Sequence, residues 1–160
     1  MTLADYFFIF GAKYLFLLAP LIASIWFLRL PKDQKRKVAA FGLIALPAIY
    51  VAAKIGSALY FDPRPFVVGG FSPLIPHKAD NGFPSDHTLI TAAIASVVYY
   101  FNKNVSTAIW WLAVMVGISR VYAGVHHPVD ILGSLAIAAI VSWAVWLVFE
   151  NFYKKGKNTL

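Results

Sequence analysis

Long apolar runs separated by short polar turns dominate the chain, and their lengths predict membrane-crossing helices. A helical span needs about 20 mostly apolar residues. The expected spans cover about residues 13–30, 38–59, 87–101, 105–121 and 129–152. The third is short, and Pro47 is expected to kink the second. Residues 3–12 read as a short helix lying at the membrane interface ahead of the first span. The expected fold is therefore all-α: a polytopic transmembrane helix bundle of about five spans plus a short N-terminal interfacial helix, in one domain over residues 1–160. Only one connection is long. It covers residues 60–86 and is rich in Pro, Gly and Phe. A loop of that length in so small a protein usually serves function.

Composition supports an integral membrane protein. The chain is 60% hydrophobic and 13% charged, against roughly 25% charged in soluble proteins. It has no cysteine, which removes disulfides and thiolate metal sites. The N-terminus lacks a basic leader and a small-residue cleavage site, so no signal peptide is expected. A net charge of +7 raises the question of nucleic acid. The basic residues, however, lie between or after apolar runs, as expected for cytoplasmic retention rather than nucleic-acid binding. Trp110, Trp111, Tyr99, Tyr100 and Tyr153 are expected to form an interfacial belt.

The same charges set an orientation. Arg29, Lys32, Lys35, Arg36 and Lys37 flank the first turn, Lys103 lies between spans three and four, and Lys154, Lys155 and Lys157 follow span five. With five spans all nine share one face, which should be cytoplasmic. The opposite face receives the 60–86 loop and the turn at 121–129. Every chemically interesting residue falls on that extracytoplasmic side.

Those residues come in three groups. Ser119, Arg120, His126 and Asp130 lie at the mouth of a span, where ionisable groups are costly without partners or a role. Arg can fork onto an oxyanion. His can act as nucleophile or base, and a carboxylate on one ring nitrogen leaves the other free. Pro128 favours a helix start there, so His126 and Asp130 meet either as an i, i+4 helical pair or across the incoming turn. A capping Asp beside an incidental His is the plainer alternative. Pro84-Ser85-Asp86-His87 opens another apolar run, and a helix N-terminus offers N–H groups to an anion. Lys54 interrupts the second span, where snorkelling to the surface is the competing reading. Arg64 sits between two prolines, with Asp62 as the structural partner to consider. His77, Lys78 and Asp80 carry no spacing logic and read as surface residues. His127 is expected to point away from the site. A zinc site built from His87, His126, His127 and Asp130 is disfavoured by the three cationic side chains nearby.

Together these segments resemble the type-2 phosphatidic acid phosphatase superfamily, which includes membrane lipid phosphatases and soluble vanadium haloperoxidases. Ser119, Arg120, His126 and Asp130 match the family's third motif, Ser-Arg-x5-His-x3-Asp, at every fixed position. Pro84-Ser85-Asp86-His87 resembles its second motif, with Asp in place of the usual Gly. Its first motif, Lys-x6-Arg-Pro, is stretched here, since nine residues separate Lys54 from Arg64-Pro65. The Ser-Asp-His variant, the Asp-Pro-Arg-Pro-Phe segment and the small size are similar to bacterial undecaprenyl pyrophosphate phosphatases linked to bacitracin resistance.

The resemblance implies a lipid phosphatase without metal or cofactor. His126 would attack phosphorus, Asp130 would orient it, and His87 would serve as acid and then base. Lys54, Arg64, Ser85, Ser119 and Arg120 would hold the phosphoryl oxygens. The substrate expected first is undecaprenyl diphosphate. Phosphatidylglycerophosphate, phosphatidic acid and lipid A phosphates are rivals within the family. A vanadate haloperoxidase and a small transporter are rivals from other classes. The expected partners are the lipid phosphate and membrane lipids, in the plasma membrane, with no nucleic acid and no obligate protein partner.

Overall fold

The computed structural model describes the backbone of residues 1–157 and the side chains of residues 1–152. The side chains of Tyr153, Lys154, Lys155 and Lys157, used above for the belt and the basic face, lie outside the described residues. Among the described residues the regular structure is helical, with one isolated antiparallel bridge between Pro63 and Asn81 in the irregular 60–86 connection. The helices are α1 (Leu3–Tyr14), α2 (Leu18–Leu28), α3 (Lys32–Leu59), α4 (Pro65–Gly69), α5 (Asp86–Tyr99), α6 (Lys103–Tyr122) and α7 (Pro128–Lys157). A 3-10 turn at Leu15–Leu17 joins α1 to α2.

Local chemistry sets the helix ends. Thr2 and Asp5 form a capping box that satisfies two otherwise orphaned N–H groups of α1. The Asn102 side chain accepts from Val105 N at 3.0 Å and starts α6. Pro65 and Pro128 occupy first helical positions, where the missing N–H costs nothing. Gly70, at φ 61°, ends α4 in a left-handed conformation that suits glycine.

Among the described residues four stretches are long and apolar enough to cross a membrane: Leu3–Leu28, Lys32–Leu59, Lys103–Tyr122 and Pro128–Phe152. α5 has 14 residues, or about 21 Å of rise, short of the roughly 30 Å hydrocarbon core. It is instead the inner helix, packed against α2, α3, α6 and α7. Its Thr88, Thr91, Ala92, Ala95 and Ser96 are buried, and such small side chains let helix backbones approach closely. The four long stretches thus surround α5, which is shorter and sheltered.

Residues 3–12, expected at the interface, form the first half of the Leu3–Leu28 helix instead. Lys13 is exposed in the last turn of α1, and the 3-10 turn at Leu15–Leu17 carries the chain on into α2. α1 is drawn onto α6 by specific packing. Gly11 lies directly against Ser119, Phe8 stacks on Tyr122 at 4.0 Å, and Tyr122 donates to Asp5 at 3.0 Å. Trp110, expected in the belt, is half-buried against the core, whereas Trp111 is exposed.

The passes alternate in direction, so the bundle has two different ends. One gathers Phe41, Val97, Phe101, Trp146 and Phe149 into an aromatic cluster, with Lys37 over the Trp146 ring. The other gathers Ala12, Ile75, Ala123 and Val125 beneath the 60–86 connection. The candidate site lies at this second end.

Candidate active site

The turn between α6 and α7 aims His126. Gly124 makes it possible, since its φ of 76° is a conformation that other residues adopt only with strain. α7 begins at Pro128, so Asp130 lies in its first turn and His126 lies outside the helix. The two therefore meet across the incoming turn. Asp130 Oδ2 lies 3.1 Å from His126 Nδ1 and accepts from His127 N at 2.9 Å. Asp130 is fully buried and His126 almost so.

The other ring nitrogen, His126 Nε2, faces two guanidinium groups. Arg64 Nη1 and Arg120 Nη2 each lie 3.3 Å from it. Arginine nitrogens only donate, so Nε2 presents its lone pair to them and the proton sits on Nδ1, facing Asp130. This tautomer leaves the Nε2 lone pair free of a proton. Burial, above all, holds the proton affinity of His126 below its ordinary range. The hydrogen bond with Asp130 opposes that shift, and the charges of Arg120 and Arg64 reinforce it.

Each arginine is fixed by acceptors from distant parts of the chain. Arg64 Nη1 donates to Val125 O at 2.8 Å, Nη2 to Asn81 O at 3.2 Å, and Nε to Asp80 Oδ1 at 2.7 Å. Arg120 Nη1 donates to Ala12 O at 3.3 Å, and Nη2 lies 2.9 Å from His77 Nε2. The partner of Arg64 is thus Asp80, not Asp62. Asp62 Oδ2 pairs with His127 Nδ1 at 2.8 Å, which turns His127 away from His126.

His77 and Asp80, read as surface residues from the sequence, belong to the site. His77 is half-buried, and its ring centroid is 6.0 Å from that of His126. Asp80 is exposed at its outer edge, but it grips Arg64. The only signal in the sequence was their membership of the one long loop. Asn81 is a further residue the sequence did not mark. Its side chain accepts from Asp62 N and Phe83 N and donates to Ser57 O and Tyr60 O, tying the loop to the end of α3. Gly82 follows, and a Cβ there would come within 2.9 Å of Asp130 Oδ2.

The remaining sequence candidates are spread around this centre. His87, in the first turn of α5, packs edge-on against Phe16 at 4.5 Å and lies within electrostatic reach of Arg120, His126 and His77. Ser85 precedes α5 and is buried. Its N–H points to Asp130 O at 3.4 Å, and its hydroxyl accepts from Thr88 at 3.2 Å. Lys54 is exposed near the end of α3, over the Tyr50 ring, and with Arg64, Asp80 and Asp86 lines a cavity of about 200 Å³. Arg64 therefore stands between that cavity and His126. Ser119 sits in the α1–α6 seam, and its hydroxyl donates to Met115 O at 2.8 Å.

Asp62, His127 and Asp130 bring three potential ligand atoms within 4.8 Å of one another. Asp62 Oδ2 bonds His127 Nδ1, and Asp130 Oδ2 serves both His126 and the His127 N–H, whereas Asp130 Oδ1 is buried without a hydrogen-bond partner. Two guanidinium groups supply positive charge beside His126 Nε2.

Residues 37–154 match the PAP2 superfamily. The chain is 34% identical, over 78% of its own length, to a Bacillus subtilis protein named undecaprenyl-diphosphatase BcrC, and spans 64% of that relative. It is 31% identical, over 89% of its length, to an Escherichia coli protein named putative undecaprenyl-diphosphatase YbjG, and spans 72% of it. The crystal structure of Aquifex aeolicus LpxE superposes with a TM-score of 0.70 at 25% identity, covering 91% of this chain and 87% of that one. The chain thus spans less than two thirds of the Bacillus relative.

Proposed function

The chain belongs to the PAP2 superfamily, and from that premise we propose that it is a lipid phosphatase that removes the terminal phosphoryl group of undecaprenyl diphosphate. One observation carries the chemistry. His126 Nε2 faces Arg64 and Arg120 at 3.3 Å each, while Asp130 holds the opposite nitrogen. A nucleophile flanked by two fixed cations suits a dianionic phosphoryl group, because phosphoryl transfer depends mainly on positioning and charge stabilisation. The names of the Bacillus and Escherichia relatives support the choice of lipid.

In this mechanism His126 Nε2 attacks the terminal phosphorus. The bond from phosphorus to the bridging oxygen breaks, and His87 gives that oxygen its proton. The lipid leaves as a monophosphate, and the phosphoryl group stays on Nε2. His87, now neutral, takes a proton from water as that water attacks phosphorus. The N–P bond breaks and inorganic phosphate departs. Asp130 stabilises the positive charge on the imidazole while the N–P bond exists. Arg64 and Arg120 hold the phosphoryl oxygens, and Ser85 and the first N–H groups of α5 add donors. Lys54 contributes charge from the cavity beyond Arg64. Ser119, expected to hold a phosphoryl oxygen, has its hydroxyl on Met115 O in the helix seam and is given no part in the step.

The site faces the extracytoplasmic side of the plasma membrane in this reading, because the opposite end carries Arg29, Lys32, Lys35, Arg36, Lys37 and Lys103. The substrate would then be met in the outer leaflet. The deciding experiment is phosphate release by purified protein from undecaprenyl diphosphate, phosphatidylglycerophosphate, phosphatidic acid and a lipid A phosphate, each with and without EDTA. Fastest turnover of undecaprenyl diphosphate, unchanged by EDTA, is expected. Preference for another lipid would overturn the substrate, and activity restored only by a divalent cation would overturn the mechanism.

A further inference from the structure

Arg120 lies within the last turn of α6, yet little on its own helix orients its guanidinium group. Nη1 is fixed by the Ala12 carbonyl of α1, and Nη2 by the His77 ring of the long loop at 2.9 Å. The same Nη2 lies 3.3 Å from His126 Nε2. Its two hydrogens can therefore divide between the two imidazoles. His77 takes one and so turns the other towards the nucleophile.

We infer that His77 is a positioning residue of this phosphatase site, accepting from Arg120 Nη2 through a deprotonated Nε2 and thereby aiming that guanidinium at the phosphoryl group bound beside His126. The inference rests on the reading of His126 as the phosphoryl acceptor. The requirement on His77 is strict, because arginine offers only donors. Protonated His77 would set N–H against N–H.

The surroundings keep His77 in the accepting form. Burial, then the charges of Arg64 and Arg120, lower its proton affinity; the Lys78 carbonyl opposes this, and His126 adds to the lowering. Asp80 and His87 are also within its electrostatic reach. The carboxylate of Asp80, which would favour a charged His77, is drawn to Arg64 instead. His77 thus ties the loop to α6 by a bond that only a neutral acceptor can make.

The test compares His77→Ala, His77→Gln and His77→Lys in the full-length protein in detergent, with a thermal melt of each. Gln retains an acceptor of suitable reach. Lys has similar bulk but only donors. Two readouts are taken: kcat on undecaprenyl diphosphate and affinity for orthovanadate by calorimetry. Misdirecting a positioning group by about 1 Å can cost on the order of 100-fold. The Ala and Lys variants should lose about 10- to 100-fold in kcat and bind vanadate more weakly, while Gln restores most of both. Should the Ala variant fail to fold, the Gln and Lys pair still decides. Wild-type values in the Ala or Lys variant, or a folded Gln variant no better than Lys, would overturn the assignment. Vanadate binding needs no turnover. A wild-type protein that ignores undecaprenyl diphosphate would therefore count against the substrate, and the vanadate series would still decide on His77.

Discussion

Asp130 Oδ2 holds His126 Nδ1 at 3.1 Å inside a fully buried pocket, and this contact selects which nitrogen faces the arginines. Asp130→Asn keeps the shape but offers an amide N–H as readily as a carbonyl, so the ring can adopt the wrong tautomer. Turnover should fall by roughly 10²- to 10⁴-fold, the range for disabling acid–base machinery. The check is kcat on undecaprenyl diphosphate, with a melt to confirm folding. A folded Asn variant retaining a third of wild-type turnover would show that the contact does not matter to the chemistry.

Arg64 uses all three guanidinium nitrogens, on Asp80, Val125, Asn81 and His126. A lysine at this position keeps the charge and loses the fork, so Arg64→Lys should cost at least about tenfold in kcat/KM. Asp80→Asn should do less, about fivefold or under, because the Asp80 side chain is 55% exposed and its pairing is screened by water. Steady-state kinetics of the two variants gives the ranking. An Asp80 variant more damaged than the Arg64 variant would reverse it.

Much of this arrangement was legible in the sequence, and the reasons for the rest are physical. The apolar runs gave α3, α6 and α7 because a 3.6-residue helix must stay apolar to cross lipid. Pro128 located the start of α7, and the turn before it brings His126 to Asp130. The start of α1 at residue 3 was legible, but its packing was not. Nothing in a run of Phe and Tyr reveals that Gly11 will admit Ser119 of a distant helix. His77 and Asp80 were hidden for a related reason. They reach Arg120 and Arg64 through the folding of an irregular loop, and no helical or strand period carries that information. The pairing of Asp62 with His127 likewise depended on the loop crossing the bundle end, which left Asp80 for Arg64.

The acid limb of activity should reflect the buried imidazole. Burial lowers the proton affinity of His126 from its usual value of 6.5 despite Asp130, and only the neutral ring can attack phosphorus. The kcat/KM of the wild-type protein should therefore hold below pH 6.5. His77 is shifted in the same direction. The folded chain thus binds fewer protons than the unfolded chain just below pH 6.5, and stability falls as the pH drops through that window. Rate profiles and melting temperatures between pH 8 and pH 5 test both. A melting temperature that rises on acidification would contradict the sign.

Sidedness follows from the two unlike ends of the bundle. The chain has no cysteine, so single cysteines can be introduced without background. Ser72 and Lys78 are exposed at the site end, and Gln34 is exposed at the basic end. In intact spheroplasts an impermeant maleimide should label Ser72→Cys and Lys78→Cys, and Gln34→Cys only after lysis. The reverse pattern would place the chemistry in the cytoplasm.

The central claim is that His126 Nε2 carries the phosphoryl group between the two halves of the reaction. Rapid quenching of purified protein with undecaprenyl diphosphate labelled in its terminal phosphate tests it most directly. Label should appear on the protein within one turnover as an acid-labile, base-stable phosphoramidate, map to the peptide containing His126, and be absent from His126→Ala. Full hydrolysis with no labelled protein at any quench time, or undiminished labelling of His126→Ala, would contradict it.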